Sequence, residues 1–114
     1  MFKTTTTIDG KAKGIGVRFI RPNSDTTICE LRIGGKNVPP KDMEIEYIGV
    51  ARRYGSDKFD KGRGQLVSLA KALESGNVNR KARIDIYAAY AEWAISNNLR
   101  TKISLDTVRA NAND

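Results

Sequence analysis

Few side chains in this 114-residue chain could do chemistry other than bind anions. The chain has no histidine and one cysteine, Cys29, so it cannot build a His-dependent nucleophilic triad, an intrachain disulfide or a four-ligand zinc site of the usual type. Glu44, Glu46, Asp57 and Asp60 could hold a hard cation for phosphodiester chemistry. Glu44 and Glu46 are better explained as the solvent side of a strand. We therefore predict a non-enzymatic protein with no metal and no cofactor.

Positive charge is concentrated in one segment. The chain carries 20 basic and 13 acidic residues, and its net charge of +7 favours polyanionic partners. Residues 50–83 hold nine basic and three acidic side chains, a net of +6, whereas the segments on either side carry +2 and −1. The anion-binding residues that we predict in this segment are Arg52, Arg53, Lys58, Lys61, Arg63, Arg80, Lys81 and Arg83.

Five of these cations stand at predicted helix starts. Arg80, Lys81 and Arg83 occupy the first turns of a second predicted helix, where each opposes the helix macrodipole at a cost of about 0.3–1 kcal/mol. Lys61 and Arg63 do the same in the first predicted helix. Two positive helix ends with added basic side chains would form one concentrated anion site.

The same charges have a simpler interpretation as a solvated surface. Asp57 and Asp60 would neutralise part of the segment, and Gly62-Arg63-Gly64 lacks the spacing and the Lys-Ser/Thr ending of a phosphate-binding loop. Tyr54, within the same stretch, could instead stack on a nucleic-acid base. Both interpretations stay open on the sequence alone.

The first half of the chain predicts a β-hairpin. Apolar residues alternate along 15–20 and again along 26–33, and the turn residues 21–25 separate the two runs. In the second run one face carries Cys29, which should therefore be buried and inert. The residues that share that face are Thr27, Cys29, Leu31 and Ile33.

A third strand is predicted from residue 43 to 48, continuing to about 53. Met43, Ile45 and Tyr47 would point inward, with the two glutamates outward. The threonine-rich residues 3–8 are a possible fourth strand or a loose terminus.

The second half predicts two helices. Leucines recur at helical spacing from an acidic start at Asp57 or Asp60, and Ser75-Gly76 supplies a stop in which the left-handed residue is glycine. The second helix runs from an Asn79 cap to about residue 97. Its predicted buried stripe consists of Ile84, Tyr87, Ala88, Ala91 and Ile95, flanked by Tyr90 and Trp93.

Strands followed by helices predict an α+β fold. We expect one domain over 1–114, in which a small antiparallel sheet of three or four strands packs against two helices. Residues 102–105 could form a short strand, or a helical turn could begin at Ser104, and residues 111–114 should be frayed. The two helices around a glycine turn also allow a helix-turn-helix interpretation.

Targeting signals are not evident. No apolar run has the length of a secretory signal or of a membrane span, so the sequence favours a cytoplasmic location without membrane association.

Residues 48–73 resemble a pattern in small basic accessory proteins of tailed bacteriophages. In that pattern a strand is followed by Asp-x-Phe and then by a Gly-Arg step into an amphipathic helix that ends in Ala-Leu. The matching residues here are Asp57, Phe59, Gly62, Arg63, Ala72 and Leu73. The resemblance implies a context in a phage-infected bacterium and a staple role for Phe59 at the helix entry.

These observations predict a binding protein whose basic face contacts nucleic acid or a nucleoprotein complex through phosphates. The main alternative is an inhibitor that binds an acidic surface of a host defence or transcription protein directly. A third possibility is a sponge for phosphorylated nucleotides. The sequence leaves the oligomeric state open.

Overall fold

The alternating apolar residues of the first half form a four-stranded antiparallel sheet, and the second half forms two helices that cover one face of it. The structure is a computed structural model that describes residues 1–53 and 61–97. The strands lie in the order β1-β2-β3-β4, so the α+β prediction is confirmed, as is a strand in residues 3–8. The elements are β1 (Phe2–Ile8), β2 (Lys11–Asn23), β3 (Thr26–Gly34), a 3-10 turn (Pro40–Asp42), β4 (Ile45–Arg52), α1 (Lys61–Ser75) and α2 (Arg80–Ser96).

Several predictions concern residues outside the described ranges. They are base stacking by Tyr54, the helix start at Asp57 or Asp60, the Phe59 staple, anion binding by Lys58, the element at 102–105 or Ser104, and the frayed end at 111–114. Within the described ranges, no helix has the length and apolar character needed to cross a bilayer.

The β2–β3 hairpin has the predicted faces. Val17 lies opposite Leu31 and Phe19 lies opposite Cys29, all on the side that the helices cover. Cys29 is fully buried, as predicted, and burial together with the neighbouring Glu30 raises its pKa to about 12. Its thiol is therefore protonated and unreactive at neutral pH.

A register shift in β4 contradicts one sequence prediction. Tyr47 lies opposite Leu31 on the helix side, whereas Ile45 lies opposite Arg32 on the outer side, so β4 has one extra residue between them. The prediction that Met43, Ile45 and Tyr47 share one inward face is therefore wrong. Met43 is buried, but it packs on the outer side of the sheet.

Helix α1 lies almost directly on the backbone of β4. A Cβ atom at Gly49 would meet the Ser68 carbonyl oxygen and would lie 2.5 Å from the Ala72 amide nitrogen. The absence of a side chain at Gly49 lets strand and helix approach this closely, and Leu69 and Leu73 of α1 are then fully buried.

The end of α1 is a Schellman motif in which asparagine takes the left-handed position. Asn77 has φ 49°, its amide donates to Glu74, and the Val78 amide donates to the Leu73 carbonyl at 3.2 Å. Buried Val78 and Leu73 complete the motif. The prediction that Gly76 is the left-handed residue is wrong, because the asparagine that follows it tolerates this conformation.

Helix α2 has its predicted cap but a different buried face. The Asn79 side chain accepts a hydrogen bond from the Ala82 amide at 2.9 Å, and the helix ends at Ser96. Ile84 and Ile95 are 38% and 73% exposed, so the predicted stripe is wrong in these members, and Ala88 is exposed too. The buried residues are Ala82, Ile86, Tyr87, Tyr90, Ala91 and Ala94.

An aromatic cluster determines this rotation of α2. Tyr90 and Trp93 pack against Phe2 of β1 and Phe19 of β2, with ring centroids 5.6–6.2 Å apart across the helix–sheet contact. Farther along β1, the Thr6 hydroxyl donates to Asp85 at 2.7 Å. Two separate contacts therefore align α2 with β1.

We predict that Gly49→Ala lowers the free energy of unfolding by about 3 kcal/mol, because the new methyl group would collide with the backbone of α1. Gly35→Ala is the matched control, since its nearest neighbour would be a Val38 methyl group at 3.2 Å, and it should cost less than about 1 kcal/mol. Urea unfolding measures both variants. Equal losses would contradict the close contact between α1 and β4.

Alkaline pH should destabilise the protein through two buried acids. Burial raises the pKa of Tyr87 to about 12, with Arg83 lowering it in part, and Cys29 has a pKa of about 12 for the reason given above. The folded state therefore holds both protons more tightly than the unfolded chain, whose values are near 10 and 9. The free energy of unfolding should keep its full value below pH 9. Above the unfolded pKa of each group it should fall by roughly 1.4 kcal/mol per pH unit for that group as the pH rises toward 12. In a Cys29→Ala, Tyr87→Phe double variant the free energy of unfolding should depend less steeply on pH between 9 and 12. An unchanged pH dependence would refute the assignment to these two groups.

Candidate anion-binding surfaces

The two helix starts lie at opposite ends of the molecule. The Tyr90 hydroxyl, late in α2, donates to Gln65 at 3.1 Å near the start of α1, so the two helices run in opposite directions. Helix α1 has 15 residues, which separates its start from the start of α2 by about 20 Å. The expectation that both helix starts form a single anion site is therefore wrong.

The start of α1 lies at the β2–β3 hairpin, where four arginines from β2, the end of β4 and α1 lie near one another. Gly64 lies against Thr27, and the Arg53 amide donates to the Asp25 carbonyl at 2.7 Å. Arg52 pairs with Thr26 in the sheet. We call the exposed arginines around this turn the hairpin-end arginine group, which consists of Arg21, Arg52, Arg53 and Arg63.

One carboxylate among the described residues lies within this group. Asp25 accepts two hydrogen bonds from the Arg53 guanidinium, at 3.0 and 2.7 Å, and both side chains are substantially exposed. The Arg21 guanidinium donates to the Ser24 carbonyl at 3.2 Å, which holds it beside the turn. The described part of this end therefore presents four guanidinium groups and one carboxylate, a net positive surface.

Sequence reasoning missed Arg21, which lies outside the basic segment. The signal for it was present, because residues 21–25 were predicted as the hairpin turn and the end of the third strand was predicted near Arg53. Antiparallel pairing brings these two positions together. Lys61 begins α1 at the same end, although the described side chains do not include its own.

The basic residues at the start of α2 are partly compensated. Lys81 forms an ion pair with Asp85 at 3.3 Å, and Asp85 also accepts the hydrogen bond from Thr6. The Asn79 cap satisfies one of the free amides of the first turn. Arg80 is exposed beside them. This end presents less uncompensated charge than the sequence suggested.

Arg83 differs from its neighbours because it is half-buried. Its Nε is buried without a hydrogen-bond partner, and its positive charge acts on the Tyr87 hydroxyl. Among the described residues, no carboxylate forms an ion pair with it. Arg83 is therefore less available to a ligand than Arg63.

The outward side of α2 does not resemble a recognition helix. Between residues 84 and 95 its exposed side chains are three apolar groups and one carboxylate, which phosphates would repel; they are Ile84, Ala88, Ile95 and Glu92. Both helices pack on the sheet, and this side of α2 gives no support to the helix-turn-helix interpretation.

The carboxylates are dispersed in the described ranges. Glu44 and Glu46 are exposed at the start of β4, next to the register shift. Among residues 1–53 and 61–97, no three acidic or cysteine side chains lie close enough to share a metal ion.

No protein-family model, curated protein or solved structure matches this chain.

We predict that Arg83→Met leaves the protein as stable as wild type or more stable by about 1 kcal/mol. The substitution removes a cation from the start of α2 and an unpartnered buried nitrogen, while its methyl group fills similar space. Asn79→Ala, which removes the cap four residues earlier, should instead cost about 1 kcal/mol. Urea unfolding compares the two; a larger loss for Arg83→Met would mean that Arg83 has a structural role.

Proposed function

We propose that this protein is a non-enzymatic accessory protein that binds nucleic acid or a nucleoprotein complex through phosphate contacts at the hairpin-end arginine group. The observation that carries the proposal is that four exposed arginines lie at the hairpin end of the molecule, where Asp25 pairs with one of them, Arg53. Guanidinium groups suit phosphates because their donors form paired hydrogen bonds and keep their charge at any physiological pH.

Rigid positioning of this group supports the proposal. Arg52 belongs to a paired strand, Arg53 is held by Asp25, and Arg63 stands in the first turn of a helix that is seated on the sheet. Groups held this way lose less conformational entropy when they bind. The start of α2 would add a second, weaker contact, since Lys81 is neutralised by Asp85.

The proposed setting is a phage-infected bacterium, on the resemblance of residues 48–73 to tailed-phage accessory proteins. The Gly-Arg step of that pattern forms the first turn of α1, where Gly62 is buried and Arg63 is exposed. Ala72 and Leu73 at the other end of the pattern are buried. The pattern therefore has both a structural part and an exposed basic residue.

Arg63→Glu should weaken binding to a labelled DNA duplex by about tenfold at low salt and should reduce the slope of log K against log salt by about 1. Lys71→Glu is the matched control, because it makes the same change in charge at an exposed position farther along α1. Fluorescence anisotropy between about 50 and 200 mM salt measures the slope.

Three outcomes would contradict the proposal or its placement. Absence of duplex and single-strand binding by the wild-type protein at low salt would refute it. Equal losses in Arg63→Glu and Lys71→Glu would show a dependence on net charge alone. A larger loss in an Arg80→Glu, Lys81→Glu double variant would place the contact at the start of α2.

The competing function is inhibition of a host protein by direct binding, and exposed isoleucines on the uncovered side of the sheet favour it. A pulldown from bacterial lysate, repeated after nuclease treatment, separates the two functions. A stoichiometric protein that is retained without nucleic acid would favour the inhibitor. A nucleotide sponge is less well supported, because the two helix starts are too far apart to hold one nucleotide.

A further inference from the structure

The outer side of the sheet, opposite the helices, carries a continuous row of branched apolar side chains. Strand pairing places Ile20 opposite Ile28 and Ile28 opposite Val50, so the three lie side by side across β2, β3 and β4. Ile48 follows on the same side of β4, opposite Glu30, and is 53% exposed. We call these four residues the outer-face apolar row.

The chain covers the neighbouring half of this side with residues 35–43. Met43 packs over Gly14 and Gly34. The Arg32 guanidinium donates to the Met43 carbonyl at 3.2 Å, and Lys3 donates to the Val38 carbonyl at 3.0 Å. This loop stops short of the outer-face apolar row. Of the described elements, none packs over that row, since both helices lie on the other side.

The rim of the row is positively charged. Arg18 stands two residues before Ile20 and is 52% exposed, and Arg52 stands two residues after Val50 and is exposed. Glu30, which lies between Arg18 and Ile48, is largely buried and lies 3.5 Å from Arg32 and 3.9 Å from Arg18. Glu46, two residues before Ile48, is exposed as well, so the exposed charges next to the row are two arginines and one glutamate, a net positive charge.

We propose that the outer-face apolar row is a docking surface for an acidic protein segment that carries apolar side chains. Apolar centres with arginines around them are typical of protein interfaces. A second copy of this chain would bring the same net positive rim against it, which favours an acidic partner. Aliphatic side chains offer no ring on which a nucleic-acid base could stack.

This surface is separate from the start of α1 and gives the protein a second class of partner. The two surfaces adjoin at Arg52, so phosphates at the hairpin-end arginine group and an acidic protein segment on the sheet would be neighbours within one complex. That arrangement suits a nucleoprotein complex, in which one partner supplies phosphates and the other supplies the acidic segment.

The test uses a short synthetic peptide of alternating leucine and glutamate, added to protein with 13C-labelled isoleucine methyl groups and followed by NMR. We expect the methyl signals of Ile20, Ile28 and Ile48 to shift. A lysine–leucine peptide and a glutamate–serine peptide of equal length should bind at least about tenfold more weakly, because one lacks the charge and the other lacks the apolar side chains.

Ile48→Asp should weaken binding of the leucine–glutamate peptide by at least about tenfold, with only a small fall in the melting temperature, since this side chain is exposed and lies opposite Glu30. Ile84→Asp, at an exposed isoleucine of α2 on the other side of the molecule, is the matched control and should leave the affinity unchanged. Duplex binding should also be unaffected by Ile48→Asp, so failure of this proposal is distinguishable from failure of the phosphate-binding one.

Four results would overturn the docking proposal. The first is a leucine–glutamate peptide that shifts no isoleucine signal on the sheet, and the second is an equal effect of Ile48→Asp and Ile84→Asp. A wild-type dimer that Ile48→Asp dissociates in sedimentation would identify a second copy as the occupant. A marked fall in the melting temperature of Ile48→Asp would mean that the chain's own residues cover the row.

Discussion

The contact between the backbones of α1 and β4 is the constraint on which the rest of the structure depends. With no side chain at Gly49, α1 settles onto β3 and β4 and buries Leu69 and Leu73. That position leaves the β1 side of the same face open for α2, which the aromatic cluster then fills. It also brings the first turn of α1 beside the β2–β3 hairpin. The arrangement of arginines at that end therefore follows from a packing contact in the middle of the helix.

Local patterns in the sequence were sufficient to predict most of the strands and helices. Alternation along 15–20 and 26–33 and the Asn79 cap each depend on a few adjacent residues, and the structure contains the hairpin and the helix start that they predict. The incorrect predictions concern features that are determined by contacts between residues far apart in the chain. A register shift opposite Arg32 changed the side on which Ile45 lies, and no local pattern signals it. The rotation of α2 is determined by its aromatic contacts with Phe2 and Phe19.

For the candidate binding residues, the sequence predicts which types of side chain are present but not where the fold places them. The sequence identifies an excess of basic side chains in 50–83, but charge that is contiguous along the chain is not contiguous in space. Antiparallel helices divide the segment between two ends of the molecule. The sheet then adds Arg21 from β2 at one end, and it brings Ile20 and Val50 to either side of Ile28 on its outer side. Both surfaces can therefore be identified only once the strand register is known, and the sequence predicts that register only approximately.

The pairing of β1 with α2 has a consequence for synthesis on the ribosome. Thr6 and Asp85, which join the first strand to the last described helix, are 79 residues apart. At about 5–20 residues per second, the ribosome needs several seconds to make the helix that covers β1. Meanwhile β1 can pair with β2, but Phe2 stays exposed to water and to other nascent chains. The early strand is rich in threonine rather than in large apolar residues, which limits its tendency to aggregate during that delay.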